Sequence, residues 1–147
     1  MIRDRRKLSG LLVGLMLAFI WGNSLLTGTD SGNMSGGILQ WLNSFLKLDL
    51  QRAEMLHHLI RKAAHFTEFA CLGGLLAWRC SMDAQKHPFA FPALLSMAAG
   101  LVDETIQLFT PDRGPSLTDV WIDTSGAVTG IMLLILGHHL IKRKMNH

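Results

Sequence analysis

The chain has 147 residues, enough for one domain, with a formal net charge of +3. Hydrophobic residues make up 49% of it and mean hydropathy is +0.28, yet the apolar residues are gathered into four blocks with charge between them. The two cysteines, Cys71 and Cys80, lie nine positions apart, which excludes a disulfide framework and any cysteine-based metal motif; they read as small packing residues.

Residues 1–7 are basic, and an apolar stretch follows from Leu8 to about Thr27. It is longer than the apolar region of a signal peptide and no small-x-small cleavage site follows it, so it reads as an uncleaved first membrane span. Residues 28–37 are rich in Gly, Ser, Thr and Asn and are expected to form a loop. From Ile38 to about Ile60 apolar residues recur at helical spacing, interrupted by Lys47, Asp49, Arg52 and Glu54. That segment is too polar to span and suits one or two amphipathic helices at the membrane interface. A second span is expected over about 63–80, a polar turn with Asp83 and Lys86 over 81–87, and a third span over about 88–109. A Pro/Gly turn at 110–116 leads to a fourth span over about 117–141 and a basic tail. A bilayer core about 30 Å thick needs roughly 20 helical residues, so all four blocks have the right scale. The expected fold is an all-α bundle of four transmembrane helices in one domain, residues 1–147, with an amphipathic extracytoplasmic segment between spans one and two. Trp21, Trp41, Trp78 and Trp121 lie near predicted span ends, as interfacial anchors do.

Nine of the 14 Lys and Arg residues fall on one side of this arrangement, in the two tails and the 79–87 connection. Both termini are therefore expected in the cytoplasm. The unusual polar residues then collect at the opposite, outward end. His65 and Glu68 begin span two, Asp103, Glu104 and Gln107 end span three, and Asp119 and Asp123 begin span four. At about 1.5 Å per residue, Glu68, Asp103 and Asp123 lie roughly 9 Å inside a span end. Arg61, His65 and Glu68 share a helix face, as do Asp103 with Gln107 and Asp119 with Asp123 and Gly126. Gly126-x-x-x-Gly130 allows close backbone approach on that last face. Charges at this depth must face the bundle interior or a wet cavity and find partners there.

Several of these residues also carry a resemblance. Arg61-Lys62-Ala-Ala-His65-Phe-Thr-Glu68-Phe69 resembles the RKxxHfxEy motif of the VanZ-like family. The run Asp103-Glu104-x-x-Gln107, with Arg113, Ser116 and Asp119 following, is similar to that family's DExxQ…RxxSxxD motif. Asp123-x-x-Gly126 looks like its N-x-x-G element with Asp in place of Asn, which adds a charge. The resemblance implies a multi-pass protein of the bacterial cytoplasmic membrane, in a family associated with teicoplanin resistance, and it supplies no reaction.

Each residue admits a functional and a structural role. His65 can act as an acid/base group or metal ligand, or as an imidazole paired to a carboxylate. Asp103, Glu104, Asp119 and Asp123 can bind a divalent cation. The favoured alternative is a salt-bridge network with Arg61, Lys62 and Arg113, with no metal site. Ser116 reads first as a helix cap ahead of Asp119. Arg113 is placed to grip a phosphate or carboxylate. The resulting expectation is an outward-facing pocket for an anionic lipid or lipid-linked cell-envelope group. Arg61, Lys62, Gln107, Arg113, Ser116, Asp119 and Asp123 would bind, and His65, with Glu68, Asp103 or Glu104, would handle protons or a cation. The rival is a non-enzymatic protein in which the polar layer only locks the helices together. Membrane lipids are the expected partners, and no nucleic acid.

Overall fold

The computed structural model describes residues 2–47, 49–82 and 87–145. Five helices follow in order: α1 (Ile2–Ser24), α2 (Gly28–Leu46), α3 (Leu50–Ser81), α4 (Ala90–Leu108) and α5 (Leu117–Met145). The all-α expectation holds. The predicted turn residues Asp83 and Lys86 lie outside the described residues.

Two boundaries differ from the sequence reading. Residues 28–37 are helical rather than a loop. They contain no proline, and the amphipathic stretch that follows supplies a nucleus that spares them the cost of initiating helix, although each glycine is a weak helix former. Helix α2 ends where Lys47 turns left-handed (φ 48°) and its N–H returns to the Asn43 carbonyl at 2.9 Å. Asp49 then caps α3, accepting the Arg52 N–H at 2.9 Å. The second half of the amphipathic segment is thereby continuous with the second apolar block. At about 1.5 Å per residue, the 32-residue α3 is about 48 Å long, well beyond a hydrocarbon core.

The bundle is assembled around α3, whose most extensive partner is α5. Glycines explain that closeness. A Cβ at Gly126 would strike the Phe66 backbone, one at Gly130 the Ala70 backbone, and one at Gly73 the Ala127 backbone. The α5 glycine pair is therefore a packing face, as its spacing implies, and Gly73 answers it from α3. Helices α1 and α4 complete the bundle, and α2 rests on α3. The apolar core comprises Ile20 of α1, Phe69, Leu72 and Leu76 of α3, Ala99 of α4 and Ala127 of α5.

The outer surface is apolar. Leu11, Leu15 and Phe19 of α1, Leu94, Leu101 and Leu108 of α4, and Met132, Leu133 and Leu136 of α5 are exposed, while Asp103 and Asp123 are fully buried. Carboxylates inside and leucines outside invert the arrangement that water favours. Two helices, α1 and α5, are long and apolar enough to cross a membrane. On α2, Trp41 stacks edge-to-face on Phe45 at 5.2 Å, both exposed, the apolar side of an amphipathic helix.

Candidate functional site

The polar layer lies at the end of the bundle where α1 stops and the turn between α4 and α5 crosses. That turn is built from sequence. Pro111 occupies its second position, Asp112 adopts φ 58° at the third, and the Arg113 N–H closes it on the Thr110 carbonyl at 3.3 Å. Ser116 then caps α5, its Oγ accepting the Thr118 N–H at 3.2 Å, so the capping role expected of Ser116 is realised.

Around Asp103 the layer is fully bonded. Ser24 Oγ donates to Asp103 Oδ1 at 2.6 Å and Gln107 Nε2 to Oδ2 at 2.9 Å. Thr110 Oγ1 donates to the Ser24 carbonyl at 2.9 Å. Arg113 reaches the same helix end, Nε donating to the Leu26 carbonyl at 3.3 Å and Nη2 to the Asn23 carbonyl at 3.1 Å. These carbonyls belong to the last turn of α1 and the link after it, where helix geometry leaves acceptors without intrahelical partners. Asn23 Nδ2 donates in turn to Glu68 Oε1 at 3.3 Å. Glu68 therefore turns to α1 rather than joining Arg61 and His65.

The expected salt-bridge network is mostly absent among the described residues. Lys62 pairs with Asp119 at 3.1 Å, and Asp103 is held by neutral donors instead of cations. The reason is position. Arg113 is committed to the end of α1, and Lys62 sits a helical turn above His65, at the depth of Asp119 rather than Asp103. Arg61 makes no hydrogen bond or ion pair among the described residues.

A second part of the layer is under-bonded. Both oxygens of the fully buried Asp123 lack a hydrogen bond, as do His65 Nδ1 and Glu104 Oε1. His65 Nδ1 stands 3.6 Å from Asp123 Oδ1, too far for a hydrogen bond but within ion-pair distance for a protonated imidazole, so the expected pairing of His65 with a carboxylate of a neighbouring helix is present in that looser form. Glu104 is anchored by its other oxygen, which accepts the Ser116 N–H at 2.6 Å. His65, Asp103 and Asp123 each bring a donor atom to within 4.8 Å of the others. The sequence reading placed all three in one layer but did not single them out as a triad.

Above this triad opens a cavity of about 360 Å³, lined by His58, Arg61, Lys62, His65, Asp112, Arg113, Gly114, Ser116 and Asp119. Burial, and then the nearby Arg61 guanidinium, push the Arg113 pKa below its ordinary value. Of the predicted site residues, Arg61, Lys62, His65, Arg113, Ser116 and Asp119 share this cavity, and Asp103, Glu104, Gln107 and Asp123 are buried. Asn23, Ser24 and Thr110 belong to the layer and were missed by sequence reasoning. The available signal was a pair of polar residues ending an otherwise apolar block.

Residues 10–138 match the VanZ/LLP1 family. The chain belongs to the VanZ/LLP1 family. The matched region runs from the first turns of α1 into the last turns of α5, so it takes in every residue of the layer, as the motif resemblance implies. No curated protein and no solved structure matches this VanZ/LLP1 chain.

Proposed function

We propose that this VanZ/LLP1 protein is a single four-span domain of the bacterial cytoplasmic membrane, with both termini inside, whose outward-facing cavity binds the anionic headgroup of a lipid or lipid-linked envelope precursor. The observation that carries the reading is the pair Arg61 and Arg113 in one cavity. Arg61 has no anionic partner among the described residues, and Arg113 is partly desolvated beside it. Two guanidiniums close together repel each other, and an anion between them removes that cost. The insertion rests on the apolar exterior around α1, α4 and α5, with α2 and the first half of α3 at the outer interface. A role in glycopeptide resistance would follow if the bound group is an envelope precursor.

Native mass spectrometry of protein released from mixed phosphatidylglycerol and phosphatidylcholine nanodiscs tests this. Wild type should retain the anionic lipid, and Arg61→Gln should lose that preference while remaining monodisperse. Equal retention of both lipids by wild type, or unchanged selectivity in Arg61→Gln, contradicts it. Arg61 is the better probe, because Arg113 also ties the turn to α1.

The bonding of Asp103 favours a second role for part of the layer. Ser24 at the end of α1 is hydrogen-bonded to Asp103 of α4 and to Thr110 of the turn that follows, and Gln107 bonds Asp103 within α4, an arrangement that holds helices together irrespective of any ligand.

A further inference from the structure

We propose that His65, Asp103 and Asp123 bind a divalent transition-metal cation, of the Zn²⁺ or Mn²⁺ class, at the floor of the cavity. Three helices, α3, α4 and α5, each contribute one residue, and their donor atoms lie within 4.8 Å of one another. The independent observation is Asp123. Its side chain is fully buried, and neither oxygen has a hydrogen-bond partner. Gly100 and Phe69 pack against this region, since a Cβ at Gly100 would lie 3.4 Å from Asp123 Oδ2 and 3.6 Å from Phe69. A carboxylate in so closed a place is costly unless something else neutralises it.

The separations suit a shared ion. Metal–ligand bonds of about 2.0–2.2 Å put neighbouring donors roughly 3.0–3.5 Å apart around one centre. His65 Nδ1 and Asp123 Oδ1, 3.6 Å apart, need only a small adjustment to reach that range. Asp103 is already oriented by Ser24 and Gln107, and its oxygens retain lone pairs after accepting those bonds. Such outer hydrogen bonds are what hold a ligating carboxylate in place. Two carboxylates and one dication sum to zero charge. One imidazole with two carboxylates favours a borderline transition cation over Mg²⁺ or Ca²⁺. Three protein ligands leave coordination positions open, and His65 is the member that also lines the cavity.

The inference goes beyond the anion reading, and the metal alone is its probe. The tag-free full chain in detergent is titrated with Zn²⁺ and with Mn²⁺ and its ion content measured by mass spectrometry. One tightly bound ion per chain is expected. Asp123→Asn and His65→Gln should each weaken it at least about tenfold. Replacing the exposed pair His138 and His139 by Gln should leave binding unchanged. X-ray absorption of the zinc-loaded wild type gives a reading that does not depend on any variant folding, and a single imidazole among oxygen ligands is expected. No binding by wild type, wild-type affinity in Asp123→Asn, or several imidazoles around the zinc would overturn the proposal. Metal binding without headgroup selectivity would leave it standing and defeat only the anion reading.

Discussion

Asp103 and Asp123 are both buried carboxylates, yet their surroundings call for opposite responses to the same substitution. Asp103 accepts bonds on both oxygens, so Asp103→Asn turns one acceptor into a donor facing an existing donor. Ser24→Ala removes one of those donors outright. Each should lower the stability read from the unfolding midpoint in detergent, Ser24→Ala by about 1–3 kcal/mol of unfolding free energy. Asp123 has no hydrogen bonds to lose, and with His65 neutral its 3.6 Å contact to Asp123 is no ion pair, so neutralising the carboxyl group removes a desolvated charge at little cost. Metal-free Asp123→Asn should therefore unfold at or above the wild-type midpoint. A destabilised Asp123→Asn would mean that its carboxylate holds the bundle together. Lys62→Ala should cost less than about 1 kcal/mol, because the Lys62–Asp119 pair is substantially exposed. At this scale the sequence was half legible. The bond from Gln107 to Asp103 follows from i, i+4 spacing, and Ser116 reads as a cap from its place before an apolar run. The partnership of Ser24 with Asp103 spans 79 positions and depends on which helix lies beside α4, which no local spacing encodes.

Helices show the same division between local and long-range information. Four of the five occur where apolar blocks and helical spacing predict them. The error at 28–37 came from reading Gly and Ser as loop formers, although neither forbids helix as proline does. The packing of α5 was visible in Gly126 and Gly130, whereas Gly73 was not legible because its significance lies in facing Ala127. Those contacts are with backbone, which cannot move aside as a side chain can. Gly73→Ala and Gly130→Ala should each destabilise the bundle by at least about 1–3 kcal/mol, measured as loss of the folded fraction on denaturant titration in detergent. Gly137→Ala meets open space and should be neutral or stabilising, since alanine is the better helix former by about 0.5–1 kcal/mol. Equal effects at Gly130 and Gly137 would remove close α3–α5 contact from the account.

For the whole molecule, the governing feature is the reversal of polarity, with ionisable groups inside one end and leucines outside along the length. Apolar blocks in the sequence signalled the exterior, and motif residues signalled the polar end. The division of that end into a bonded half and an under-bonded half was not legible, because it depends on distances of a few tenths of an ångström. The proposed placement of the polar end outside the cell rests on the distribution of Lys and Arg, and the envelope-group reading of the cavity depends on it, whereas the metal site does not. Cysteine labelling at position 112 measures it directly. In a background with Cys71 and Cys80 replaced, Asp112→Cys in intact cells should react with a membrane-impermeant maleimide, while a cysteine at Arg5 should react only after permeabilisation. Labelling of position 112 solely in permeabilised cells would put the cavity in the cytoplasm and contradict an envelope-facing site.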